Sequence, residues 1–96
     1  MSSKARSIIG PDGIARHPDK ERRINSIIAS VLGTAAGKEV MNYLKSITTE
    51  RVCGWDATDA QLRHLEGQRF IVGILSQRVK QGEMEKANAV SDQTSV

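Results

Sequence analysis

Few side chains in this 96-residue sequence are of the types that carry out covalent chemistry. Cys53 is the single cysteine, and His17 and His64 are the two histidines. Nucleophilic catalysis requires a nucleophile, a base and an orienting group within mutual reach. His17 precedes the first helical segment, where nothing adjacent fixes its geometry. His64 falls between Arg63 and Leu65 on a helix and reads as a surface residue. A zinc site normally takes four ligands, mainly Cys and His, which one cysteine and two separated histidines do not provide. Asp56 and Asp59 can meet near a helix start, but Asp59 is accounted for by the positive end of the helix dipole. Gly33-Thr34-Ala35-Ala36-Gly37-Lys38 has the outline of a phosphate loop. Its glycine spacing is one residue short, however, and Glu39 stands where a hydroxyl side chain is required. No catalytic residue, metal ligand or cofactor-binding residue is assigned. The expectation is a protein that is not an enzyme and acts by binding other macromolecules.

Composition limits the class further. One cysteine excludes an intramolecular disulfide framework and fits a reducing compartment. No long apolar run follows Met1, so no signal peptide is expected. The longest apolar stretch runs from Phe70 to Leu75 and contains Gly73, too short to span a bilayer, so no membrane partner is expected. Net charge is +3. Residues 1–23 carry six basic side chains (Lys4, Arg6, Arg16, Lys20, Arg22, Arg23) against Asp12, Asp19 and Glu21, while residues 24–96 hold eight of each sign. The positive excess therefore belongs to the N-terminal arm. Three readings of it stay open: a solvated tail, a contact with an acidic protein, or a grip on nucleic-acid phosphates through those six residues without sequence preference.

The elements that position these residues follow from periodicity. Residues 1–17 read as an irregular arm with a Pro11-Asp12-Gly13 turn signal. Ile8, Ile9 and Ile14 beside that turn are unusual for a free tail. They either dock on a neighbour, the favoured reading, or fold back on the chain's own core. A first helix begins near His17-Pro18-Asp19, with proline suited to the first turn. Ile24, Ile27, Ile28, Val31 and Leu32 form one apolar stripe. Thr34 caps a second helix whose apolar set is Val40, Met41, Leu44 and Ile47. Residues 48–57 form a connection in which Trp55 either lids the core or anchors an interface. Thr58-Asp59-Ala60-Gln61 is a capping box that opens a third helix. Leu62, Leu65, Val72, Leu75 and Val79 form its stripe, Phe70, Ile71 and Ile74 widen it so that its middle is expected to be buried on more than one side, and Gly67 and Gly73 suggest close helix crossings. Gly82 is expected to end that helix, with Arg78 and Lys80 favouring its C-terminal dipole. Glu83 to Lys86 can extend it weakly, and residues from Val90 onward read as disordered.

The fold class expected is thus all-α: an extended N-terminal arm (1–17), a small three-helix core (18–82) and a flexible C-terminal tail (83–96). A core of about 65 residues is near the lower limit for unaided folding, which favours oligomerisation or docking on a larger partner. A helix-turn-helix outline over residues 19–47 offers only Lys38, Asn42, Lys45 and Ser46 on its second helix. That is thin for reading bases.

Two segments carry a resemblance. They are Val31-Leu32-Gly33-Thr34-Ala35-Ala36-Gly37-Lys38-Glu39-Val40-Met41, and Glu66-Gly67-Gln68-Arg69 followed by Phe70-Ile71-Val72 and Ile74-Leu75. Together they resemble a family of short proteins encoded in the structural-gene modules of tailed bacteriophages, over about residues 24–80. Ala35 stands where many family members have proline, and the loop around Trp55 has no counterpart. The resemblance implies a virion component assembled in the host cytoplasm, in the head or near the portal and tail. It implies a capsid, portal or tail protein as partner and a homo-oligomeric ring or shell as arrangement. It supplies no catalytic residues. In that setting Ile8, Ile9, Ile14 and Trp55 are the expected partner-binding residues. The alternative function is a non-specific DNA-binding or packaging accessory using the basic arm.

Overall fold

The computed structural model describes the backbone of residues 6–94 and the side chains of residues 6–89. Two short strands, β1 (Ile8–Ile9) and β2 (Ala15–Arg16), precede three helices, α1 (Pro18–Leu32), α2 (Ala35–Ser46) and α3 (Asp59–Thr94). The protein is mostly helical, but all-α is not exact. The strands pair antiparallel, Ile8 with Arg16 and Ile9 with Ala15. The Pro-Asp-Gly signal makes the turn between them. Gly13 adopts φ +80°, a conformation that glycine reaches without a steric penalty. Within the segment expected to be an irregular arm, residues 8–16 therefore form a hairpin folded against the helices; residues 1–5 lie outside the described residues.

Each helix start has a local cause. His17 Nδ1 accepts from the Asp19 N–H at 3.1 Å, and Pro18 occupies the first turn of α1. Thr34 Oγ1 accepts from the Gly37 N–H at 3.0 Å to cap α2. Before α3, the Gln61 N–H donates to Thr58 Oγ1 at 3.1 Å and the Thr58 N–H donates to Gln61 Oε1 at 2.9 Å. This is the reciprocal pair that the spacing predicts. Thr58→Ala is expected to lower stability by about 1 kcal/mol, read as a shifted urea midpoint at constant m value. An unchanged midpoint would mean that the box contributes nothing.

α3 is the long member against which α1 lies, with α2 joining both. Among the described residues, three large apolar side chains are buried, Met41, Leu65 and Val72. The apolar stripe on α1 is rotated from expectation. Glu21 and Asn25 are the buried residues of α1, whereas Ile27 and Val31 are 52% and 60% exposed. Glu21, Asn25, Ile28 and Leu32 recur at i, i+4, i+7 and i+11, so the inward stripe is polar at its N-terminal end and apolar at its C-terminal end. Trp55 is 98% exposed, which overturns the core-lid reading.

The glycines also fall differently. A Cβ added at Gly67 or Gly73 would meet nothing within 4 Å, so no crossing within the chain explains either, although each costs about 1 kcal/mol against alanine in a helix interior. The close approaches are elsewhere. Gly37 sits on the Val31 carbonyl and the Leu32 backbone, and Gly82 sits on the Asn25 carbonyl and the Ala29 side chain. Gly82 does not end α3, which continues to Thr94. It is a packing glycine at the α1–α3 crossing. The tail expected from residue 83 is therefore helical through residue 94.

The result is long and thin, 59 × 33 × 17 Å, with a radius of gyration of 16.9 Å. A compact chain of this length has about 12.5 Å. Its accessible surface is 7359 Å², against roughly 5,400 Å² for a compact monomer of its mass. No described helix is long and apolar enough to cross a membrane.

Candidate functional site

Two features stand out on this frame: a buried polar clamp at the foot of the hairpin, and a large exposed apolar surface. The clamp is built on Arg78, whose side chain is 2% exposed. It pairs with Glu21, itself 5% exposed at the side chain, through Nη1 to Oε2, with a second hydrogen bond from Nη2 to Oε1 at 3.3 Å. Arg78 Nη1 also donates to Asn25 Oδ1 at 2.9 Å, and Nη2 reaches Asp12 Oδ2 at 3.4 Å. Arg16 closes the ring, 2.8 Å from Asp12 Oδ2 and 2.9 Å from Glu21 Oε1. The turn of the hairpin, the first turn of α1 and the middle of α3 are thus tied through one set of charges. Gly10 completes it, because a side chain there would collide with the Glu21 carboxylate. Among the described residues, no buried side-chain polar atom lacks a hydrogen-bond partner. A fully satisfied network of this kind fixes geometry. Every carboxylate in it is already neutralised by an arginine, so it has the make-up of a structural clamp.

The electrostatics follow from the pairing. The hydrogen bond from Arg16, helped by the Ile14 N–H, holds the Asp12 carboxyl down from 3.8 to about 2. The hydrogen bond from Arg78 holds Glu21 below its ordinary value; burial opposes this and Arg16 assists it. A depressed folded-state pKa contributes stability that is complete above the unfolded value and is lost as the pH falls through the folded one. The thermal midpoint is therefore expected to hold above about pH 5 and to decline as the pH falls below the ordinary carboxylate range. For Asp12 that loss is spread between 3.8 and about 2. Asp12→Asn should flatten the decline in this window. An equal slope in variant and wild type would show that Asp12 is not part of the acid response.

The residues considered for chemistry are dispersed. His17 is occupied as a helix cap. Cys53 and His64 border one shallow hollow beside the 48–57 connection. No hydrogen bond joins them, and His64 Nε2 lies 3.2 Å from Gln68 Nε2. No group of three or more His, Cys, Asp or Glu among the described residues is placed to hold a metal. The phosphate-loop look-alike is the α1–α2 junction: it follows a helix, and its Gly37 is pressed against Val31 and Leu32.

The basic arm is only partly available. Arg16 is held inside the clamp, and Arg22 pairs with Asp19. Arg6, Lys20 and Arg23 are exposed, and Lys4 lies outside the described residues. Of the six basic residues considered for phosphate contact, two are already engaged with carboxylates.

The proposed partner-binding residues are exposed: Ile8 by 46%, Ile9 by 69%, Ile14 by 52% and Trp55 by 98%. The hairpin folds back, yet its isoleucines remain open to solvent. Sequence reasoning missed a larger set. Ile27, Val31, Val40, Tyr43, Ile47, Val52, Leu62, Phe70, Ile71 and Met84 are also exposed. A broad hollow between the C-terminal half of α2 and α3, about 900 Å³, is walled by Leu44, Ile47, Gly67, Ile71 and Val72. Arg69 holds its rim. It pairs with Glu66 at 2.6 Å, donates through Nε to the Thr48 carbonyl at 2.9 Å and donates through Nη2 to the Arg51 carbonyl. The signal that could have found this surface was the width of the apolar stripe on α3, more than two short partner helices can cover.

Comparison with known protein families, curated proteins and solved structures finds no match for this chain.

Proposed function

We propose that the chain is a structural subunit of a tailed-phage virion that binds a larger head, portal or tail protein in multiple symmetric copies. One observation carries the assembly part of this reading: among the described residues, three apolar side chains are buried while fourteen large ones are exposed. An excess of exposed over buried apolar side chains leaves much apolar surface for contact with another protein. The virion setting comes from the resemblance of the Thr34–Gly37 and Glu66–Arg69 segments to the phage structural family. Both motifs have a structural role here. Thr34 caps α2 over the buried Gly37, and Arg69 ties α3 to the connection. Ile8, Ile9, Ile14 and Trp55 are the anchors toward the larger partner, since they stay exposed on the hairpin and the connection.

The test is recovery of a tagged full-length chain from cells infected with the phage that encodes it. The capsid, portal or tail protein is expected to co-purify in a fixed ratio, and to be reduced when Trp55 is replaced by Ser. Recovery of a host protein in fixed ratio, with no virion protein, would overturn the reading in favour of a host-directed regulator.

A further inference from the structure

We infer that the hollow between α2 and the middle of α3 binds a small phosphomonoester, held by Lys38, Lys45 and Lys80. The inference depends on neither the virion setting nor the assembly reading. Lys38, Asn42 and Lys45 recur at i, i+4 and i+7 on α2, so they share one helix face. Ser76, Lys80 and Glu83 recur at the same steps on α3. Both sets border one hollow of about 330 Å³. Small-molecule sites run from roughly 300 to 1,000 Å³, so the space suits one small ligand.

Charge sets the class of that ligand. Among the described residues none of the three lysines forms an ion pair, whereas Arg16, Arg22, Arg69 and Arg78 all do. Glu83 is the carboxylate at the hollow, and its Oε2 lies 2.9 Å from where a Cβ on Gly33 would stand. It is thus turned toward the α1–α2 junction and not onto a lysine. Three ammonium groups less one carboxylate leave a charge of +2 at the hollow. A phosphomonoester carries about −1.5 to −2 at neutral pH, a closer match than the single charge of a carboxylate. Lysine binds phosphate as a point charge and needs no flat, two-pronged partner. Asn42 and Ser76 add hydrogen-bond donors. Lys45 and Ser76 are half-buried beside the buried Met41, so a bound phosphate is drawn partly out of water, where charge pairing strengthens. Leu32, Met41 and Val79 supply an apolar wall for the body that the phosphate esterifies.

Titration of the isotope-labelled full chain at low salt, followed through its amide NMR shifts, tests this. Adenosine monophosphate is the probe, with inorganic phosphate and adenosine as its two halves. The monophosphate is expected to shift the Met41, Ser76 and Val79 amides saturably. Inorganic phosphate should move the same amides more weakly, and adenosine should not move them. Lys45→Gln and Lys80→Gln should each weaken binding by about tenfold, the effect of losing one charge-assisted hydrogen bond. Lys20→Gln, at an exposed site on α1 away from the hollow, should leave it unchanged. The rest of each variant's spectrum reports whether it is folded. No saturable shift at these amides would overturn the inference, and so would binding indifferent to both lysine substitutions or equal binding of adenosine. A deoxythymidine oligonucleotide that moves these amides when the monophosphate does not would overturn it in favour of a nucleic-acid contact.

Discussion

Arg78→Met is expected to destabilise the protein by about 3–5 kcal/mol, because it strips a buried carboxylate of its main counter-charge. Domains of this size have only about 5–15 kcal/mol in total, so the variant should lose a large share of its stability. The magnitude follows from burial. The Arg78 and Glu21 side chains are 2% and 5% exposed, so water cannot replace the missing partner. Methionine keeps most of the volume, which isolates the charge effect from a cavity effect. Glu21→Met should be similarly damaging, because it leaves Arg78 with Asn25 and a longer contact to Asp12. The double variant Glu21→Met, Arg78→Met should lose well under the sum of the two, since two buried apolar side chains need no counter-charge. Additive losses in urea denaturation would show that the pair is not energetically coupled.

The second large effect is a difference of sign between two glycines of one helix. Gly73→Ala should stabilise by up to about 1 kcal/mol, because alanine is the better helix former and the added methyl meets nothing. Gly82→Ala should destabilise by about 1–3 kcal/mol despite the same propensity gain. Its methyl would strike the Asn25 carbonyl and the Ala29 side chain, and backbone yields poorly to overpacking. The comparison needs only two denaturation curves against wild type. If both substitutions stabilise, α1 and α3 do not cross at Gly82.

Helix starts were legible in the sequence because they are local. Pro18, Thr34 and the Thr58–Gln61 box act within four residues, and each does in the structure what its spacing predicts, whereas His17, expected to have nothing fixing its geometry, caps α1. The rotation of α1 was not legible, because it depends on a pairing between Glu21 and Arg78, 57 positions apart. Glu21 reads locally as dipole compensation at a helix start, and Arg78 as its counterpart at a helix end. Both are instead buried in one network. Gly82 misled for a related reason. A glycine near the end of an apolar pattern resembles a stop, and only the presence of α1 beside it makes it a contact. Trp55 was ambiguous because a loop tryptophan beside glycine serves equally as lid or anchor. Its 98% exposure removes the first role. The apolar face of α3 showed in the sequence as a widened stripe that read as burial on more than one side, but Phe70 and Ile71 are 57% and 56% exposed, because two short partner helices do not cover it.

A thin helical body, held in shape by a buried charge cluster, leaves fourteen large apolar side chains exposed among the described residues, and the proposed role is to have them covered in a virion. Counting copies of the chain in purified phage particles by quantitative mass spectrometry tests that role most directly. The expected result is a fixed ratio to the portal or capsid protein, matching multiple symmetric copies per particle. Absence of the chain from particles that contain those proteins in full would contradict it.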